Sequence, residues 1–271
     1  MSRYEASNAR SVGLFVILVF VLTVPFWLAS ESGERLMPGL PLSALAVVCP
    51  AGSAMIVAYW SGRYDGIRTL FAGDSDNGRI RRAFWCAVAF LLPVAIAAIS
   101  FRVLRFSGIP VPGPSTSFLE IASLCVVFFC AAIAEEVGWT TFATPALQDE
   151  LGFWRAGLLL GAVWAAWHFI PLRQADRSWS WIAWWSLGTV ASRVIIVALW
   201  NASGRSTLVA AVFHMSVNVN WQLFPVHGSY YDPRSNALVS VVVALIVGAI
   251  VAVRRVNVSG PGPSGSAAVR R

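Results

Sequence analysis

The sequence predicts an all-α, polytopic integral membrane protein, with about eight transmembrane helices enclosing a polar site within the membrane. Three observations predict it. Of 271 residues, 57% are hydrophobic and 12% charged, whereas soluble globular chains carry about 25% charged residues. Eight apolar runs approach or reach the roughly 20 residues that cross the hydrocarbon layer. A handful of ionisable side chains interrupts those runs. A mean hydropathy of +0.68 excludes a water-soluble fold and a disordered chain. The net charge of +7 does not make the chain a nucleic-acid-binding module, because cytoplasmic membrane loops recruit basic residues by themselves.

The runs, in order, end at charge or at Pro/Gly. Run 12–29 follows Arg3 and Arg10 and exceeds the roughly 7–15 apolar residues of a signal peptide, so it reads as a retained span. Run 43–60 lies between Pro41 and Arg63, and run 83–101 between Arg82 and Arg102. Run 118–144 begins after a Pro-rich stretch and stops before Pro145; residues 146–152 then read as a short amphipathic helix on the cytoplasmic interface. Runs 155–172, 181–200, 206–224 and 237–253 complete the set. Residues 1–253 thus form one transmembrane domain, and the Ser/Gly/Pro-rich residues 254–271 a disordered cytoplasmic tail. Cys49, Cys86, Cys125 and Cys130 fall inside apolar runs without the spacing of a metal site or disulfide framework, and read as small core residues.

All 20 basic residues are Arg, and their loop positions orient the chain. One face receives Arg3, Arg10, Arg63, Arg68, Arg79, Arg81, Arg82, Arg155, Arg205, Arg254, Arg255, Arg270 and Arg271, and the other Arg35, Arg102, Arg105, Arg173, Arg177 and Arg234. The richer face is cytoplasmic by the positive-inside rule. An even number of spans then places both termini there, in what reads as a bacterial inner membrane.

Ionisable residues at membrane depth are functional candidates because lipid makes them expensive. They are Glu120, Glu135, Glu136, His168, Arg193 and His214, joined by Asn218. At about 1.5 Å per residue, Glu135 and His214 lie roughly 14 Å from the cytoplasmic ends of their helices, Arg193 about 12 Å and His168 about 20 Å. Four helices thereby bring polar groups to similar depths, provided the fourth continues to Thr144. His214 and Asn218 share a helix face, as do Trp164 and His168, being four apart. Glu135 and Glu136 are about 100° apart, so one suits the chemistry and the other a structural role. Trp139, Trp164 and Trp167 read first as packing, Trp181, Trp184 and Trp185 as an interfacial belt, His227 as a loop histidine and Glu120 as a helix-start carboxylate.

Ala-Glu-Glu-Val-Gly-Trp-Thr (134–140), Trp-Ala-Ala-Trp-His-Phe-Ile-Pro (164–171) and Phe-His-Met-Ser-Val-Asn (213–218) together resemble the CPBP family. These are the CAAX-protease and bacteriocin-processing proteins, also called Abi, intramembrane endopeptidases of about eight helices. The resemblance covers roughly 118–225 and follows the order Glu-Glu-x-x-x-Arg, aromatic-x-x-x-His, His-x-x-x-Asn. It implies that Glu135 activates water, that His168 and His214 line the same site, and that Asn218 stabilises the oxyanion. One position departs. Thr140 stands where the family most often has Arg, leaving Glu136 without its cation, and Arg193 lies at a depth suited to replace it.

Two mechanisms fit these residues. A glutamate mechanism without cofactor is preferred, since His-Glu-x-x-His is absent; a zinc mechanism would use Glu135, His168 and His214, two His and a carboxylate leaving one position open. The expected partners are the bilayer and a membrane-associated peptide or protein: a CAAX-type tail, a leader peptide or a bacteriocin-related peptide. Two other readings stand beside the protease. One is a non-catalytic binding or immunity protein; the other is a proton-coupled transporter, against which stands the lack of a visible internal repeat.

Overall fold

The computed structural model describes residues 9–71, 79–113 and 116–258. Its α-helices are α1 (Ala9–Ala29), α2 (Cys49–Phe71), α3 (Arg79–Phe106), α4 (Phe118–Glu136), α5 (Thr144–Trp167), α6 (Phe169–Gln174), α7 (Trp179–Ala202), α8 (Thr207–Leu223) and α9 (Pro233–Val258). A 3₁₀ segment, Leu42–Val48, leads into α2, and a π-helical segment, Val137–Ala143, joins α4 to α5. Between α1 and α2 a small antiparallel hairpin pairs β1 (Arg35–Met37) with β2 (Leu40–Pro41). Six segments are long and apolar enough to span a membrane. One of them, Phe118–Trp167, has 50 residues and makes two passes, and α8 adds the remaining one. The protein is an all-α polytopic membrane protein with about eight helical passes among the described residues.

The long segment reverses at Gly152, whose φ of 77° and ψ of 171° break the helix. Contacts across it establish the reversal: Trp164 Nε1 donates to Glu135 at 2.8 Å and Trp167 packs on Trp139 with ring centres 6.0 Å apart. After the turn Gly157 lies against Val194 and Gly161 against Val190, so the returning pass runs antiparallel to α7. The fourth pass therefore runs beyond Thr144 through the π segment to Leu151. The separate short helix expected at 146–152 is the end of this pass, with Ala146 and Leu147 buried. Glu135 lies about 24 Å from that end, deeper than the 14 Å obtained by stopping at Thr144. Two further expectations change. Residues 254–258 continue α9, and 259–271 lie outside the described residues. Of the four cysteines only Cys49 is buried, and Cys130 is exposed.

Helix α7 is the axis of the packing. Residues Ala191–Trp200 are all buried, as expected of a helix enclosed on every side rather than facing lipid along one stripe. It packs mainly on α5 and α9, while α8 packs on α3 and α4. The α5–α7 seam depends on Gly157 and Gly161, a small-x-x-x-small pattern that lets membrane helices approach closely. A Cβ at Gly161 would stand 2.8 Å from the Val190 Cα and 3.2 Å from the Arg193 Cβ. Gly161→Ala is therefore expected to push α7 outward and destabilise the protein by about 1–3 kcal/mol, read as a lower unfolding temperature in detergent; an unchanged temperature would show a looser seam than described here.

The outer ends of the helices are covered by the hairpin. Met37 and Leu40 pack on Leu124, Phe128 and Val219 of α4 and α8. Gln222 donates to the Pro38 carbonyl at 3.3 Å, and Arg35 pairs with Asp176 at 2.6 Å.

Candidate active site

Two carboxylates, adjacent in sequence, occupy different electrostatic environments. Glu136 is fully buried. Its Oε2 accepts from Arg193 Nη1 at 2.7 Å and its Oε1 from Nη2 at 3.1 Å, a bidentate pair. The Thr140 hydroxyl donates to Oε2 while accepting from Arg193 Nη1 at 3.1 Å. Nδ1 of His214 completes the set, 2.9 Å from Oε1. Thr140 reaches Glu136 because residues four apart share a helix face; the turn between them enters the π segment, a geometry that recurs at functional sites. Every lone-pair direction of Glu136 is thereby engaged, as a buried charge requires.

Glu135 points elsewhere. It is 3% exposed, accepts one hydrogen bond, from Trp164 Nε1 to Oε2 at 2.8 Å, and has no ion pair among the described residues. Trp164 is the joint between the two environments. The Arg193 guanidinium lies 4.2 Å from the centre of its ring, and the ring centre is 5.0 Å from His214 and 5.7 Å from His168. Trp164, which the sequence offers as a supporting site residue as well as a packing one, does both: its N–H donates to a candidate catalytic carboxylate. Trp139, by contrast, is a core residue against Phe15 and Trp167.

The histidine tautomers follow from their partners. A carbonyl oxygen only accepts, so His168 Nδ1, 2.8 Å from the Trp164 carbonyl, carries a proton, and in the neutral ring Nε2 presents a lone pair. The same argument applied to His214 against the Glu136 carboxylate leaves its Nε2 as the acceptor. His168 lies where α5 ends, half-buried, 5.1 Å from Trp185 and within the field of the Glu135 carboxylate. Asn218, one turn beyond His214 on α8, is half-buried, and its amide has no hydrogen-bond partner among the described residues. The opposite face of α8 is tied down: Ser216 Oγ donates to the Phe90 carbonyl at 2.7 Å and Asn220 to the Ser216 carbonyl at 2.7 Å.

The residues singled out in the sequence thus form two connected groups. Glu136, Thr140, Arg193 and His214 make a closed ion-pair cluster; Glu135, Trp164 and His168 make an open one beside it, with Asn218 on the next turn. No group of three His, Cys, Asp or Glu side chains suited to a metal forms among the described residues. The sequence reading missed the Gly157/Gly161 seam that sets Arg193 against Trp164, although its spacing was a usable signal.

Fold and site together define an integral membrane protein with a hydrolase-type Glu/His/Asn set beside a buried ion-pair cluster. The family model described as Type II CAAX prenyl endopeptidase Rce1-like matches residues 117–220, the stretch that supplies all eight of these side chains. A curated relative, CAAX prenyl protease 2 of Methanococcus maripaludis, is 28% identical over 67% of this chain and 76% of its own length. Over this stretch the chain is similar to Rce1-like CAAX endopeptidases, and the likeness supports intramembrane endopeptidase activity.

Proposed function

We propose that this protein hydrolyses, without a metal, a peptide bond close to the membrane anchor of a CAAX-type C-terminal tail, with Glu135 as the base. The division between the two carboxylates supports this reading. Glu136 is saturated by Arg193, His214 and Thr140, whereas Glu135 keeps an oxygen free to take a proton from water. The Nε2 lone pair of His168 accepts the water's other hydrogen and aims its oxygen at the carbonyl carbon. As the C–O bond forms, the amide of Asn218 donates to the developing oxyanion, a contribution whose loss costs about 10²–10³ in rate. Glu135 then passes its proton to the departing nitrogen as the C–N bond breaks, which returns the carboxylate. His214, held by Glu136, presents Nε2 on the Asn218 side of the site.

The test is product analysis. Purified protein in vesicles is offered a peptide with a lipidated Cys three residues from its end, and the products are identified by mass. A tripeptide and a shortened lipopeptide, formed by wild type and not by Glu135→Gln, support the reading. Intact substrate with an otherwise folded wild type sinks it.

A further inference from the structure

The Arg177 guanidinium has no hydrogen-bonding partner among the described residues. The residue sits in the turn between α6 and α7, half-buried, with its guanidinium 4.8 Å from the centre of the Trp181 ring. The hairpin turn closes over it, since a Cβ at Gly39 would stand 3.4 Å from Trp221 and 3.8 Å from Arg177 Nη2. The nearby acid, Asp176, is engaged by Arg35 at 2.6 Å. No acceptor bonds the Arg177 guanidinium among the described residues, and its donors remain open to an incoming acceptor. Burial, and next the Arg35 charge, hold the group below the ordinary arginine value, with Asp176 opposing.

A track leads from Arg177 to the site. Trp181 lies under the guanidinium, Trp185 is one turn further along α7, and His168 is 5.1 Å from Trp185. Both indoles are half-exposed, offering an apolar floor. Taking the turn from 181 to 185 as about 5–6 Å along the helix axis, with the 4.8 and 5.1 Å contacts at its ends, the path from the guanidinium to His168 is on the order of 15 Å. Three extended residues span about 10–11 Å, and a contact of about 3 Å at each end closes the distance.

We propose that Arg177 binds the C-terminal carboxylate of the substrate, with the last residues lying over Trp181 and Trp185, so that the carboxylate sets how far from the chain end the cut falls. The proposal rests on the tail-cleaving function above. An Arg is suited to the task because its planar fork pairs with a carboxylate bidentately.

The test uses two lipidated peptides of one sequence, one ending in a free carboxylate and one in an amide, each given to wild type, Arg177→Gln and Arg177→Lys in vesicles. Wild type is expected to favour the free acid by roughly tenfold to hundredfold in kcat/KM, the value of a charge-assisted hydrogen bond, and chiefly through KM. Arg177→Gln should bring that ratio close to one, and Arg177→Lys should keep part of it. Equal cleavage of acid and amide by wild type overturns this inference and leaves the protease intact. Cleavage of neither peptide overturns the tail-cleaving function, and this inference with it.

Discussion

Glu135→Gln is expected to give a folded, membrane-inserted protein that cleaves peptide about 10²–10⁴ times more slowly, the range spanned by a positioned general base. The substitution is nearly isosteric, and its amide oxygen still accepts the Trp164 N–H that Glu135 accepts at 2.8 Å, so the local structure persists while the proton acceptor is gone. Glu136→Gln should behave in the opposite sense. It removes the counter-charge of Arg193, whose side chain is 0% exposed, so its first effect is on unfolding temperature, and activity falls because the protein does. Measuring rate and unfolding temperature for both variants in one detergent separates the roles. Were Glu135→Gln to keep wild-type kcat, or were both variants to lose stability alike, the assignment of Glu135 as base would be wrong.

The parts of this protein that were legible in its sequence are those that lipid enforces. Eight apolar runs become about eight passes because the hydrocarbon layer demands both length and hydropathy. The Glu136–Arg193 pair was legible by depth, since a buried charge must find an opposite one and Arg193 is the cation that its span offers. What lipid does not enforce was harder to read. That the fourth pass continues through a π segment depends on Thr144 finding the Trp139 carbonyl, a local geometry with no hydropathy signature. Which of Glu135 and Glu136 meets His214 is set by the direction of each Cα–Cβ bond, and two neighbours on one helix are indistinguishable by depth. Trp164 stood out from the other tryptophans by sharing a helix face with His168, but that its N–H bonds Glu135 has no signature in the sequence. The β1–β2 hairpin is too short for alternation to register, although Pro38-Gly39 is the turn dipeptide expected at its tip.

Arg193→Ala tests the ion-pair cluster and should have the largest effect on stability. It strips Glu136 of both charge-assisted bonds, at 2.7 and 3.1 Å, and leaves a carboxylate in the core facing only His214 and Thr140. Breaking a buried pair from one side costs about 3–5 kcal/mol, a large part of the roughly 5–15 kcal/mol that holds an ordinary domain together. Position 140 offers a second place for the cation, because Thr140 already bonds both Glu136 and Arg193, and the CPBP pattern most often has Arg there. Alone, Thr140→Arg should also destabilise, since its guanidinium would be forced against that of Arg193 in a fully buried space. Combined with Arg193→Ala, it gains both the counter-charge and the volume that the truncation vacates. The double variant is therefore expected to unfold at a higher temperature than either single one, a coupling opposite in sign to simple addition, and to recover cleavage because Glu136 again fixes the His214 tautomer. Additive losses, or an Arg193→Ala protein as stable as wild type, would show that the cluster does not depend on a cation at Glu136.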